Sequence, residues 1–100
     1  MITILRYEIP NAINDINLPV GYKVLNVGVA KDALGCEKIS IWCQVEVAED
    51  YTPYATERAR FLVFGTGANM DDIIHFNPKY IGTVQKSNAY AFHVYKVDNY

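Results

Sequence analysis

The run Lys38–Val47, KISIWCQVEV, alternates apolar and polar side chains with a period of two. Successive side chains of a strand point to opposite faces of its sheet. The alternation therefore sends Ile39, Ile41, Cys43, Val45 and Val47 into a core, and Ser40, Trp42, Gln44 and Glu46 away from it. A helix would mix the two sets around its circumference, so this run predicts a strand buried on one side.

Comparable segments recur along the chain, separated by turn residues, which is the pattern of an all-β domain. Ile2–Ile9 reads as a first strand, closed by Pro10 and the polar run NAINDIN. Leu18-Pro19-Val20-Gly21 reads as a turn and Tyr22–Ala30 as the next strand. After Lys38–Val47 and the loop AEDYTPYATE come Arg58–Phe64, Lys79–Lys86 and Tyr90–Val97, with Ser87-Asn88 at the last turn. One helical piece is expected at Asn69–Ile74, where Asn69 can cap and Asp71 and Asp72 suit a helix N-terminus. Pro78 closes it soon afterwards. The expected fold is mainly β: a single compact antiparallel domain over residues 1–100, of about six strands with at most one short helical turn.

Composition supports a self-sufficient core. One hundred residues that are 51% hydrophobic fit one domain without a metal or disulfide to staple it. A net charge of −2, with nine scattered basic residues, lacks the cationic stripe that neutralises duplex phosphates, so no binding to duplex nucleic acid is expected. No apolar run approaches the ~20 residues of a membrane span, and MITILRYEIP lacks the marks of a secretory leader. Cys36 and Cys43 match no metal knuckle or redox pair and are read as reduced thiols. His75 and His93 belong to no metal-ligand cluster, and no serine or cysteine sits beside a positioned base. No metal, no cofactor and no catalysis are expected.

Three features remain that point to binding. Phe61–Met70, FLVFGTGANM, runs a strand into Gly65-Thr66-Gly67. A dinucleotide fingerprint would need a third glycine at Met70, and a mononucleotide loop would need a lysine. The turn is therefore either a plain chain reversal or a nest whose bare amides meet an anion. Upstream, alternation places Arg58, Arg60, Leu62 and Phe64 on one face, and arginine presents a planar fork suited to phosphate. Trp42, the one tryptophan, is sent outward among polar residues, where its indole needs cover from the chain, a second subunit or a planar ligand. Tyr54, beside Pro53 in the middle loop, offers another aromatic body.

RYEIP, INLPVGYKVLNVGV, FGTG, YIGTVQ and AFHVYKV occur in this order between Arg6 and Val97. This resembles a family of small phage- and prophage-encoded proteins, a likeness that spans nearly the whole chain. The resemblance implies a viral accessory protein acting in the cytoplasm of the bacterial host, in the manner of small proteins that counter host defence. It carries no residue roles.

The residues then support two expectations. The first is a homo-oligomeric, non-catalytic binder that sequesters a small anionic, nucleotide-derived signal through Trp42, Tyr54, Arg58, Arg60, Phe64, Gly65, Thr66 and Gly67. The second is a protein-interaction module that blocks a host protein through exposed aromatics and a free sheet edge.

Overall fold

The alternating run forms the longest strand of its sheet, β4 (Glu37–Glu46), with Ile39, Ile41, Cys43 and Val45 buried on the core face and Ser40 buried as well on the other. The computed structural model describes residues 1–87 and 90–98. Among these, β1 (Ile2–Glu8), β4 and β3 (Lys23–Lys31) form a first sheet in the order β1-β4-β3. A second sheet runs β2-β5-β7-β6, built from β2 (Ile13–Pro19), β5 (Thr56–Gly65), β6 (Lys79–Gln85) and β7 (Ala91–Val97). All pairings are antiparallel. The chain changes sheet between β1 and β2, between β2 and β3, and again between β4 and β5, which ties the two layers together.

The core lies between the layers. Ile39, Ile41, Cys43 and Val45 come from the first sheet, and Ala59, Phe61, Val84 and Val94 from the second. Ile9 and Leu18, also buried, join the same cluster from the ends of β1 and β2. At one corner β3 packs against β6, with Val27 directly over the backbone of Gly82. The least extent of the molecule, 17 Å, fits two sheets stacked ~10 Å apart.

The fold is the expected antiparallel β architecture, with one strand more than the six anticipated. The polar run NAINDIN is not a loop: most of it lies in β2, at the edge of the second sheet. Its alternation is disguised because Asn14, only 4% exposed, occupies an inward position. Burying an amide is tolerable only when its hydrogen bonds are made. Asn14 Nδ2 donates to the carbonyls of Asn11 (2.6 Å) and Phe61 (3.2 Å), and its Oδ1 accepts from the Asn11 amide. The amide side chain thus does for the β1–β2 connection what backbone pairing does elsewhere.

The helical piece is also displaced. Asn69 Oδ1 accepts from the Asp71 amide at 2.8 Å, which makes a local turn rather than a cap. Among the described residues the single 3-10 turn falls at Ile74–Phe76 and ends where Asn77 adopts a left-handed φ of 55°. Of the expected turn at Ser87-Asn88, Asn88 lies outside the described residues.

Cys43 sits in the core with no exposed surface, whereas Cys36 is exposed in the β3–β4 connection; both are free thiols. Burial pushes the Cys43 thiol up to about 11, against a smaller downward pull from Lys96. In the unfolded chain it would ionise near ~8.5. The folded state therefore keeps a proton that the unfolded state gives up, and stability falls as pH rises from there to about 11. Tyr7, raised by burial and by Cys43, acts in the same direction. A thiol reagent is expected to titrate one cysteine in the native protein and the second only after unfolding. Urea melts should show lower stability at the alkaline end of this window than at neutral pH; equal stability would contradict the burial of Cys43.

Candidate functional site on the outer face of the second sheet

Where β5 turns its odd residues into the core, its even residues build the outer face of the second sheet. Strand register sets three rows across that face. Asp15, Arg60 and Val97 form the first, and Ile13, Leu62, Tyr95 and Tyr80 the second. Phe64, His93 and Thr83 form the third.

The first row is charged at one side. Arg60 holds Asp15 through two parallel hydrogen bonds, Nε to Oδ1 at 2.7 Å and Nη2 to Oδ2 at 3.0 Å. Glu57, on the same strand, accepts the Gly21 amide. Both members of the Arg60–Asp15 pair are about one-third open to solvent, so a competing anion can reach the same guanidinium fork.

The middle row is apolar, and Leu62 is 2% exposed although it faces away from the inter-sheet core. The connection between β5 and β6 supplies the cover. It brings Ile73 and Phe76 over the sheet and leaves a cavity of about 480 Å³, lined by Ile13, Arg60, Leu62, Ile73, Phe76, Val97 and Asp98. The volume falls within the ~300–1,000 Å³ of small-molecule sites. Asp98, at the border, receives Lys79 at 2.6 Å and Lys96 at 3.4 Å. The Lys79 hydrogen bond, assisted by Lys96, holds its carboxyl below the usual carboxylate range. The cavity therefore has apolar walls, a guanidinium at one border and a carboxylate at another.

The third row is a hydroxyl–imidazole chain. His93 Nε2 lies 2.8 Å from Thr66 Oγ1, and its Nδ1 lies 3.0 Å from Thr83 Oγ1. Thr83 in turn meets Tyr80 Oη at 2.5 Å. These contacts fasten the Gly65-Thr66-Gly67 turn to β7 and β6. Tyr95 joins the rows by edge-on contacts with Phe64 at 5.9 Å and Tyr80 at 5.6 Å.

The turn itself is a chain reversal. The Ala68 amide bonds the Gly65 carbonyl at 3.1 Å, and Gly67 has φ 90°, a value that L side chains resist. The Thr66 amide is bonded to the Ala91 carbonyl. With both amides engaged in the fold, the turn does not present the row of bare N–H groups that a nest requires.

The expected site residues are thus only partly assembled. Arg58, Arg60 and Phe64 share the outer face of the second sheet, and Thr66 reaches it through His93. Trp42 does face outward, yet from the opposite sheet. Its ring lies across Gly28, where an added Cβ would come within 3.2 Å of Cζ3, so its own sheet half-covers it. The sandwich separates it from Arg60. Tyr54, 74% exposed, lies before β5, whereas Gly65 ends that strand, ~30 Å away at ~3.3 Å per residue.

Sequence reasoning did not bring in Asp15, Ile73, Phe76, Thr83 or Asp98. Only Asp15 and Thr83 carried a usable signal, their even or odd place in an alternating strand. The others arrive by tertiary folding.

Among the described residues no group of His, Cys, Asp and Glu could hold a metal ion, and no helix is long and apolar enough to cross a membrane. No curated protein and no solved structure matches the chain. Over residues 1–100 it matches the family described as a domain of unknown function, DUF7352, and to that family the chain belongs.

Proposed function

We propose that this protein is a non-catalytic binder that sequesters a small anionic, nucleotide-derived molecule on the outer face of its second sheet. The observation that carries the reading is the 480 Å³ cavity, with apolar walls at Leu62, Phe76 and Val97 and with Arg60 and Asp98 at its borders. A nucleobase offers what such walls accept, a flat apolar body with amino groups on its edge. The ring would lie against Phe76, and its amino hydrogens would find the Asp98 carboxylate. The phosphate would compete with Asp15 for Arg60, exchanging one charge-assisted fork for another that carries more negative charge. Trp42 and Tyr54 drop out of this site, while Arg58 and Phe64 flank it. The likeness to phage-encoded proteins supports the setting: counter-defence in the cytoplasm of a bacterial host, by a chain acting as a homo-oligomer.

Calorimetry and thermal-shift measurements with cyclic nucleotides and ADP-ribose derivatives test this. A binding member of the set is expected to lose ~10-fold or more in affinity with Arg60→Ala, the value of one charge-assisted hydrogen bond. Phe76→Ala should weaken it by ~1–3 kcal/mol, the range for base stacking. If no member of either set binds, or if both variants bind like wild type, the assignment is wrong.

A second reading, a module that blocks a host protein, is favoured by the free edge of β1. There Ile2 and Ile4 are 69% and 57% exposed, opposite Glu46 and Gln44 on the face that also carries Trp42. An edge strand with apolar outward residues can accept a strand from a partner. Saturable binding to one host protein, lost with Ile4→Lys and retained with Arg60→Ala, would select this reading over the first.

A further inference from the structure

The two sheets do not close over each other at the end where β5 stops. Ile9 and Ile39 are buried there, but the inward-facing Val63 and Phe92 remain partly open. Between them is a second cavity of about 300 Å³. It exists because the next inward position on β5 is Gly65, paired with Phe92 across the strand, and glycine contributes no side chain to fill the space. A Cβ built at Gly65 meets a single neighbour, Phe92 Cε1, at 4.0 Å.

Two polar clamps hold this mouth in shape. On one side Asn14 ties the Pro10–Ala12 wall to β5 through the hydrogen bonds to Asn11 and Phe61. On the other, Glu37 accepts hydrogen bonds from both the amide and the hydroxyl of Ser87, joining the start of β4 to the end of the β6 hairpin arm. A cavity whose walls are fixed beforehand loses less entropy when filled.

Its rim is cationic. Lys38 and Lys86 border it, and the Lys86 ammonium sits 5.3 Å from the centroid of the Phe92 ring. Glu37 is the carboxylate at the rim, and its oxygens are engaged by Ser87, with Lys31 and Lys86 near enough to lower its pKa further. Asp32, in the β3–β4 connection, is turned into its own loop, where its carboxylate accepts the amides of Leu34 and Cys36.

We propose that this mouth is a binding site for a small carboxylic acid with a hydrocarbon body. The body replaces water against Ile9, Ile39, Val63 and Phe92, and the carboxylate lies at the rim against Lys86. The site shares neither Arg60 nor Phe76 with the outer-face cavity, so it stands or falls separately from the function proposed above.

The test uses the full chain and NMR titration with octanoate and 3-phenylpropionate, with octanol as the uncharged comparator. Saturable shifts are expected at the methyl groups of Ile9, Ile39 and Val63 and at the Phe92 ring. Octanol should bind about tenfold more weakly than octanoate, and Lys86→Gln should reduce octanoate affinity by a similar factor, the size of one charge-assisted contact. Gly65→Val, whose Cβ would come no closer than 4.0 Å to Phe92 and whose methyls extend beyond it, should abolish binding, while Arg60→Ala should leave it unchanged. The proposal is overturned if neither acid binds, if octanol binds as tightly as octanoate, or if the shifts gather at Leu62 and Phe76. Unchanged binding in a folded Gly65→Val protein would overturn it as well. Should that variant not fold, Lys86→Gln and the octanol comparison decide the matter.

Discussion

Phe61→Ala is expected to lower the unfolding free energy by ~3–5 kcal/mol, the range for deleting a buried phenyl ring. Phe61 has no exposed surface and is among the largest fully buried side chains. It lies inward at the middle of β5, a strand paired on both sides, by β2 and by β7. The rigid backbone ladders on either side prevent the sheet from collapsing into the space, so the cavity term adds to the lost transfer energy. A domain of this size commonly has ~5–15 kcal/mol in total, so the variant would lose between about a fifth and all of it. At ~4–8 °C per kcal/mol the midpoint should drop by more than ~12 °C. Chemical denaturation with linear extrapolation measures the loss directly. A change under ~1 kcal/mol would mean that the two sheets do not pack through this residue.

Asn14 is expected to be the next most costly position, for a different reason. Asn14→Leu keeps the branched four-atom skeleton and adds apolar surface, yet it removes the acceptor for the Asn11 amide and the donor to the Asn11 and Phe61 carbonyls. Each buried group left unsatisfied costs ~1–3 kcal/mol, and the bond to the Phe61 carbonyl is a buried one. The expected net loss is ~2–3 kcal/mol, since Asn11 is exposed and can bond water instead. A hydrophobic replacement that stabilises the protein would show that the amide network contributes nothing. Asn14 and Phe61 are also direct cross-strand partners, so the double variant should lose less than the sum of the two single ones. Because Asn14 fixes the wall of the mouth cavity, Asn14→Leu should also broaden the NMR signals of Pro10–Ala12 neighbours while leaving the outer-face cavity unaffected.

The alternation in Lys38–Val47 and Arg58–Phe64 was enough to say which side chains enter a core. Ile41, Cys43 and Phe61 are buried, while Trp42 and Arg60 face outward. In and out along one strand is a local property, set by the period of two in the backbone. The strand character of β2 was harder to see because Asn14 occupies an inward position, and its burial depends on carbonyls 3 and 47 residues away in the chain. Gly21 and Gly67 marked turns, although Leu18 and Pro19 of the expected turn belong to β2, and Gly67 needs its positive φ whatever surrounds it.

Which outward faces meet was decided elsewhere. Trp42 and Arg60 both point away from the core, but β4 and β5 belong to different layers, so the same rule sends them to opposite sides of the molecule. Nothing in either strand's own pattern records its layer, because that follows from pairings between β1 and β4, β2 and β5, and β5 and β7. Both cavities have the same origin. One arises where Ile73 and Phe76 return over Leu62, and the other where glycine at position 65 leaves two sheets unsealed. Burial is written into the chain residue by residue, whereas a site is a meeting of distant residues that only long-range strand pairing brings about.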